Sequence, residues 1–164
     1  MKVTRFFTVS AILVALAATP VFAQTNGWTD GPVTVNINAN MPELTQLRFE
    51  DLASTIDLSN PTEVPIGTMF ERSNRTAGYT VSVSSANNGQ LVGPSSEAAP
   101  YQLRYGTQDE ITVTGSVTLT NATTRTNFGG VEREVAVTPL VDLEADFLLS
   151  GTYTDTLTFT ISGQ

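Results

Sequence analysis

The sequence predicts an all-β fold, a sandwich of two sheets. Three observations carry this. Threonine stands beside Val, Ile, Tyr and Phe in runs that alternate apolar and polar residues, and β-branched side chains favour extended chain. Turn-forming clusters punctuate those runs: Asn87-Asn88-Gly89, Gly93-Pro94-Ser95-Ser96, Asn127-Phe128-Gly129-Gly130 and Ser150-Gly151. No long segment repeats with the helical period of 3.6. Short strands at such spacing stack as two facing sheets.

The elements follow in chain order. Val33-Thr34-Val35-Asn36-Ile37-Asn38-Ala39 alternates without a fault, and Met41-Pro42 ends it, since proline cannot donate to a ladder. Leu47 to Leu52 and Val64 to Phe70 are weaker strand candidates. Tyr79 to Ser84 is a strong one, because period-two alternation gives one buried and one wet face. Tyr101 to Tyr105 is weaker. Ile111 to Thr114 runs to Gly115, and Val117 to Thr120 resumes the pattern. Val131 to Thr138 and Tyr153 to Ile161 complete the set. The inward side of the last would be Tyr153, Leu157, Phe159 and Ile161. A short helical turn is expected near Leu143 to Leu148.

The first 23 residues read as an address. Lys2 and Arg5 precede an apolar run from Phe6 to Ala18, Pro20 breaks it, and Val21-Phe22-Ala23 ends in a small residue. That is the layout of a secretory signal peptide cleaved after Ala23. The run is about 13 residues, short of the roughly 20 that span a bilayer. The mature protein would be Gln24 to Gln164, outside the cytoplasm, opening with a polar, Gly-rich leader that holds the only tryptophan, Trp28.

Composition excludes several functions. After residue 23 the chain has six Arg and sixteen Asp and Glu, a net charge of −10. Nucleic-acid phosphates need Lys and Arg, so no nucleic-acid partner is expected. The chain has no Cys and no His, which removes thiol nucleophiles, imidazole bases and most zinc or haem sites. Neither an enzyme nor a cofactor is expected. Asp142, Glu144 and Asp146 alternate and could hold Ca²⁺ from one side of an extended segment, but the spacing lacks the glycine and terminal Glu of an EF-hand loop, and a solvated acidic face is the preferred reading. Asp109 and Glu110 are adjacent, and adjacent strand residues point to opposite faces. They cannot converge as a carboxylate pair without a turn.

Three stretches carry a resemblance. The ending from Ser150 to Ile161 resembles the G-x-Y-x-D-x-[LV]-x-[VF]-x-[VI] terminus of spore-coat-U-like and archaic pilins. Gly78 to Ser85 with Gly89, then Tyr101 to Tyr105, resembles the middle of the same group. Val33 to Leu44 is similar to the alternating opening of the cysteine-free colonisation-factor pilins. The chain thus resembles subunits of chaperone–usher pili. Spore-coat-U-like members usually carry a disulfide, which this sequence lacks. The resemblance implies an immunoglobulin-like sandwich, incomplete and completed by a donor strand from another subunit. It implies 1–23 as signal peptide, 24–40 as leader and donor strand, and 41–164 as pilin domain.

On that resemblance Val33, Val35, Ile37 and Ala39 are donor side chains. Leu157, Phe159 and Ile161 form one wall of the acceptor groove. The implied partners are a periplasmic chaperone, an outer-membrane usher, and identical or related subunits joined head-to-tail. The product would be a cell-surface fimbrium serving adhesion or biofilm formation. Read from the residues alone, Val33 to Ala39 could equally be the first strand of a complete sandwich. The protein would then be a monomeric secreted binding module, for example for carbohydrate.

Overall fold

The computed structural model describes residues 31–142 and 146–164. The chain divides into two units, Met1–Ala39 and Asn40–Gln164. In the first, residues 31–39 form no strand and are exposed, with Val33, Val35 and Ile37 at 77%, 74% and 89% exposure. The strand expected at Val33 to Ala39 is therefore not formed. Alternation describes a chain able to pair, but a strand exists only where a second backbone lies beside it. The signal peptide, the cleavage site and Trp28 lie outside the described residues.

Among its described residues the second unit holds nine strands: β1 (Thr45–Asp51), β2 (Val64–Ser73), β3 (Tyr79–Ser85), β4 (Gln90–Val92), β5 (Ala98–Tyr105), β6 (Gln108–Ile111), β7 (Ser116–Ala122), β8 (Val131–Pro139) and β9 (Leu157–Gly163). One sheet runs β1-β2-β8-β5-β4, with β6 also paired to β5. The other runs β7-β3-β9. Every pairing is antiparallel. The core lies between the sheets. Met69, Tyr101, Leu103, Tyr105, Val135 and Val137 come from the larger sheet, and Tyr79, Val81, Val83 and Leu119 from the smaller. This is the all-β sandwich the alternation predicts.

Three boundaries differ from expectation. The run at Ile111 to Thr114 stops pairing at Ile111. The backbone kinks at Glu110 (φ 58°), and Val113 plugs the core without belonging to a strand. Asp109 and Glu110 thus lie in the short β6, which was not foreseen, and Arg104 stands 3.9 Å from Asp109. The final run pairs only from Leu157. Tyr153 to Thr156 makes one isolated bridge, Val92 to Thr154, and the Thr156 carbonyl accepts from the Ala86 N–H at 2.9 Å. The helical turn expected at Leu143 to Leu148 begins outside the described residues, and 146–148 are not helical.

Two bulges adjust the faces. Between Val81 and Ser82 the β3–β7 register slips, so Leu119 is an extra residue on β7. A bulge breaks strict alternation, and both Leu119 and Thr120 turn inward. A second slip, between Pro65 and Gly67, leaves Ile66 as the extra residue on β2 opposite β8.

Candidate functional site: two facing open edges

β9 pairs with β3 on one side, in register from Tyr79–Gly163 to Ser85–Leu157. Among the described residues no strand pairs with its other side. Among the described residues β1 likewise pairs only with β2. These two open edges, one from each sheet, approach each other. A cavity of about 480 Å³ lies between them at the Ile161 end, bounded by Thr45 to Arg48 of β1, by Phe70 and Arg72 of β2, and by Gly129.

Burial marks the same place. On β3, Val81 and Val83 are fully buried. Their β9 neighbours Ile161 and Phe159, with Leu157 beside Ser85, are only half-buried although they pack on the core. The structure thus brings Leu157, Phe159 and Ile161 together along one open edge. The candidate donor residues Val33, Val35, Ile37 and Ala39 stand exposed in the other unit. β9 contains no charge and no proline. Natural edges are usually blunted by charged residues, prolines or bulges that discourage pairing.

The stretch leading into β9 is clamped, and the clamps explain the Gly151, Tyr153 and Asp155 spacing. A Cβ on Gly151 would collide with the Pro94 ring, and one on Gly93 with the Tyr153 ring. The Tyr153 hydroxyl sits between Glu97 Oε2 at 2.6 Å and the Leu149 carbonyl oxygen at 2.9 Å. Glu97 also accepts from the Leu149 N–H at 2.7 Å. The bond from Tyr153 holds the Glu97 carboxyl below its usual range, and the same bond pushes the Tyr153 phenol up to about 12. Two residues on, Asp155 Oδ2 accepts from the Tyr101 hydroxyl at 2.5 Å and the Ser85 hydroxyl at 2.6 Å. Its Oδ1 accepts from the Asn87 N–H at 3.0 Å. Bonds of this length to a carboxylate are charge-assisted and strong. Burial, then the bond to Asp155, pushes the Tyr101 phenol upward.

Sequence reasoning missed Glu71. It is fully buried and is the one buried charged side chain among the described residues. Its Oε2 accepts from the Tyr79 hydroxyl at 2.9 Å. Its Oε1 accepts from the Tyr105 hydroxyl and from Thr120 Oγ1, each at 2.7 Å, and Arg133 Nε stands 3.8 Å away. Burial, then the bond to Glu71, raises both phenols. The signal was parity: Gly67, Met69, Glu71 and Ser73 alternate on one face of β2.

A larger open cavity, about 1100 Å³, lies between residues 54–59, Leu91 and residues 146–153. Among the described residues no three acidic side chains are grouped to hold a metal, and Glu144 lies outside them. Among the described residues no helix is long and apolar enough to cross a membrane.

No protein-family model matches this chain, and no curated protein matches it. Among solved structures it is similar to a chain in the crystal structure of the CsuC–CsuE chaperone–tip adhesion subunit pre-assembly complex. That complex comes from the archaic chaperone–usher Csu pili of Acinetobacter baumannii. The identity is 22% and the TM-score 0.41, over 72% of this chain and 40% of that one. This chain therefore spans about two fifths of the length of its match.

Proposed function

We propose that this protein is a structural subunit of an extracellular chaperone–usher pilus that polymerises by donor-strand exchange. A single observation carries the reading. The β1 and β9 edges face each other over a half-covered core, while Val33 to Ala39, an apolar-alternating run, is exposed and unpaired. A strand laid between the two edges gains main-chain hydrogen bonds from each and inserts alternate side chains toward the core. Burying Val33, Val35 and Ile37 would contribute about 5–8 kcal/mol before the cost of ordering the segment.

In this reading the donor of one copy fills the groove of the next, with Leu157, Phe159 and Ile161 as one wall. Such a contact is head-to-tail and grows an open filament. Before assembly a periplasmic chaperone would supply the missing strand, and an outer-membrane usher would hand the subunit on. The mature chain, exported after cleavage at Ala23, would end in a surface fimbrium serving adhesion or biofilm formation. A self-contained binding module would instead use Val33 to Ala39 as a core strand, and their exposure favours donation.

The test is electrophoresis of material sheared from cells expressing the gene with its neighbours. Donor-strand contacts dissociate slowly, so a ladder of multiples that collapses on boiling is expected. Ile37→Asp, which puts a charge on the donor's apolar side, should abolish the ladder while monomer is still secreted. Monomer alone from the wild type, in boiled and unboiled lanes, would overturn the proposal.

A further inference from the structure

Stability alone does not account for a carboxylate at the centre of this core. Replacing a buried ionic cluster by apolar side chains of similar volume is often neutral or stabilising. Glu71 nevertheless gathers donors from both sheets: Tyr79 of β3 and Thr120 of β7 on one side, Tyr105 of β5 on the other. Arg133 of β8 stands behind it, its Nε without a hydrogen-bond partner.

One of these donors reaches the open edge. The Tyr105 ring stacks on Phe159, with centroids 6.1 Å apart and planes 25° apart. Phe159 is the middle apolar side chain of β9 and is half-buried. A bond at the phenol end holds the Tyr105 ring, and that ring is the surface on which Phe159 rests. Resting on the donor-strand reading above, we infer that Glu71 is a positioning residue of the strand-accepting groove. It acts through Tyr105 to hold Phe159 ready for an incoming apolar side chain. Holding a site in its bound arrangement cuts the ordering cost of binding.

The two tyrosines make the test, since each gives Glu71 one hydroxyl and only Tyr105 touches Phe159. A fluorescent peptide of residues 31–41 is bound to the full mature chain, and its release is followed after dilution into unlabelled peptide. Interface changes act mainly on release. Tyr105→Phe should speed release about fivefold, as expected for a weakened aromatic contact. Tyr79→Phe should leave it unchanged, although both variants lose a similar amount of thermal stability. Glu71→Gln should resemble Tyr105→Phe. If it does not fold, the two tyrosine variants decide, because each keeps the ring.

Equal effects of Tyr105→Phe and Tyr79→Phe, or none from either, would overturn the inference and leave strand donation standing. Failure of the peptide to bind the wild-type chain would overturn strand donation, and this inference with it.

Discussion

Asp155→Ala tests the clamp that leads the chain into β9. The alanine removes the acceptor of four donors at once: the Tyr101 hydroxyl at 2.5 Å, the Ser85 hydroxyl at 2.6 Å, the Asn87 N–H at 3.0 Å and the Thr156 N–H at 2.7 Å, the last exposed and readily taken over by water. Tyr101 is 2% exposed, so its orphaned hydroxyl costs about 2 kcal/mol. The Ser85 and Asn87 groups are only part-buried, and water recovers some of their bonding. Together they add about 1 kcal/mol. The sum of about 3 kcal/mol corresponds to a melting temperature about 10 °C lower for a domain of this size. Asp155→Asn keeps one side-chain oxygen as acceptor and should cost only about 1 kcal/mol. Urea unfolding of residues 24–164, followed by circular dichroism, measures both. A loss below about 0.5 kcal/mol for Asp155→Ala, the range of an ordinary surface change, would refute the argument. The Gly151, Tyr153 and Asp155 spacing would then need another cause.

Further expectations concern pH, backbone and leader. All four tyrosines have phenols raised above their ordinary value near 10. A raised folded-state pKa means that the stabilisation is fully present below about pH 10. It is lost as pH climbs toward the folded values. Phenolate absorbance should therefore lag that of free tyrosine and rise together with alkaline unfolding; simple titration near pH 10 in the folded chain would contradict the bonds to Glu71, Asp155 and Glu97. Gly78 has φ of +95°, and a Cβ there would strike the Ala122 carbonyl. Gly78→Ala should cost about 3 kcal/mol or more in the same urea assay; an effect below 1 kcal/mol would show that the turn can relax. Deleting residues 24–40 should leave the unfolding free energy of the remaining sandwich within about 0.5 kcal/mol of its value in the longer chain, because the described part of that segment, from Gly31, is exposed. Loss of the cooperative transition would instead make Val33 to Ala39 a core strand.

Much of this molecule could be read locally. Tyr79 to Ser84 and Val131 to Thr138 alternate in sequence and are strands in the fold. Leu157, Phe159 and Ile161 share one side of β9 because side-chain direction has period two. Gly89, in the turn cluster Asn87-Asn88-Gly89, sits at positive φ, which glycine adopts without strain. Such properties belong to one residue and its immediate neighbours, so the sequence by itself determined them.

The partners of those strands, and hence the candidate site, were decided only by the tertiary structure. Nothing in β9 states that it pairs on one side only, or that the open edge of β1 lies across from it. Val33 to Ala39 has the same alternation as β3, yet one is exposed and the other buried; the difference is the presence of a neighbouring backbone. The parity of Glu71 was legible, but its donors come from three other strands, and Thr120 faces it only because a bulge at Leu119 shifts the β7 register. Pairing and register are long-range contacts, selected by the balance of whole-core burial against chain entropy. Local periodicity limits that choice without making it.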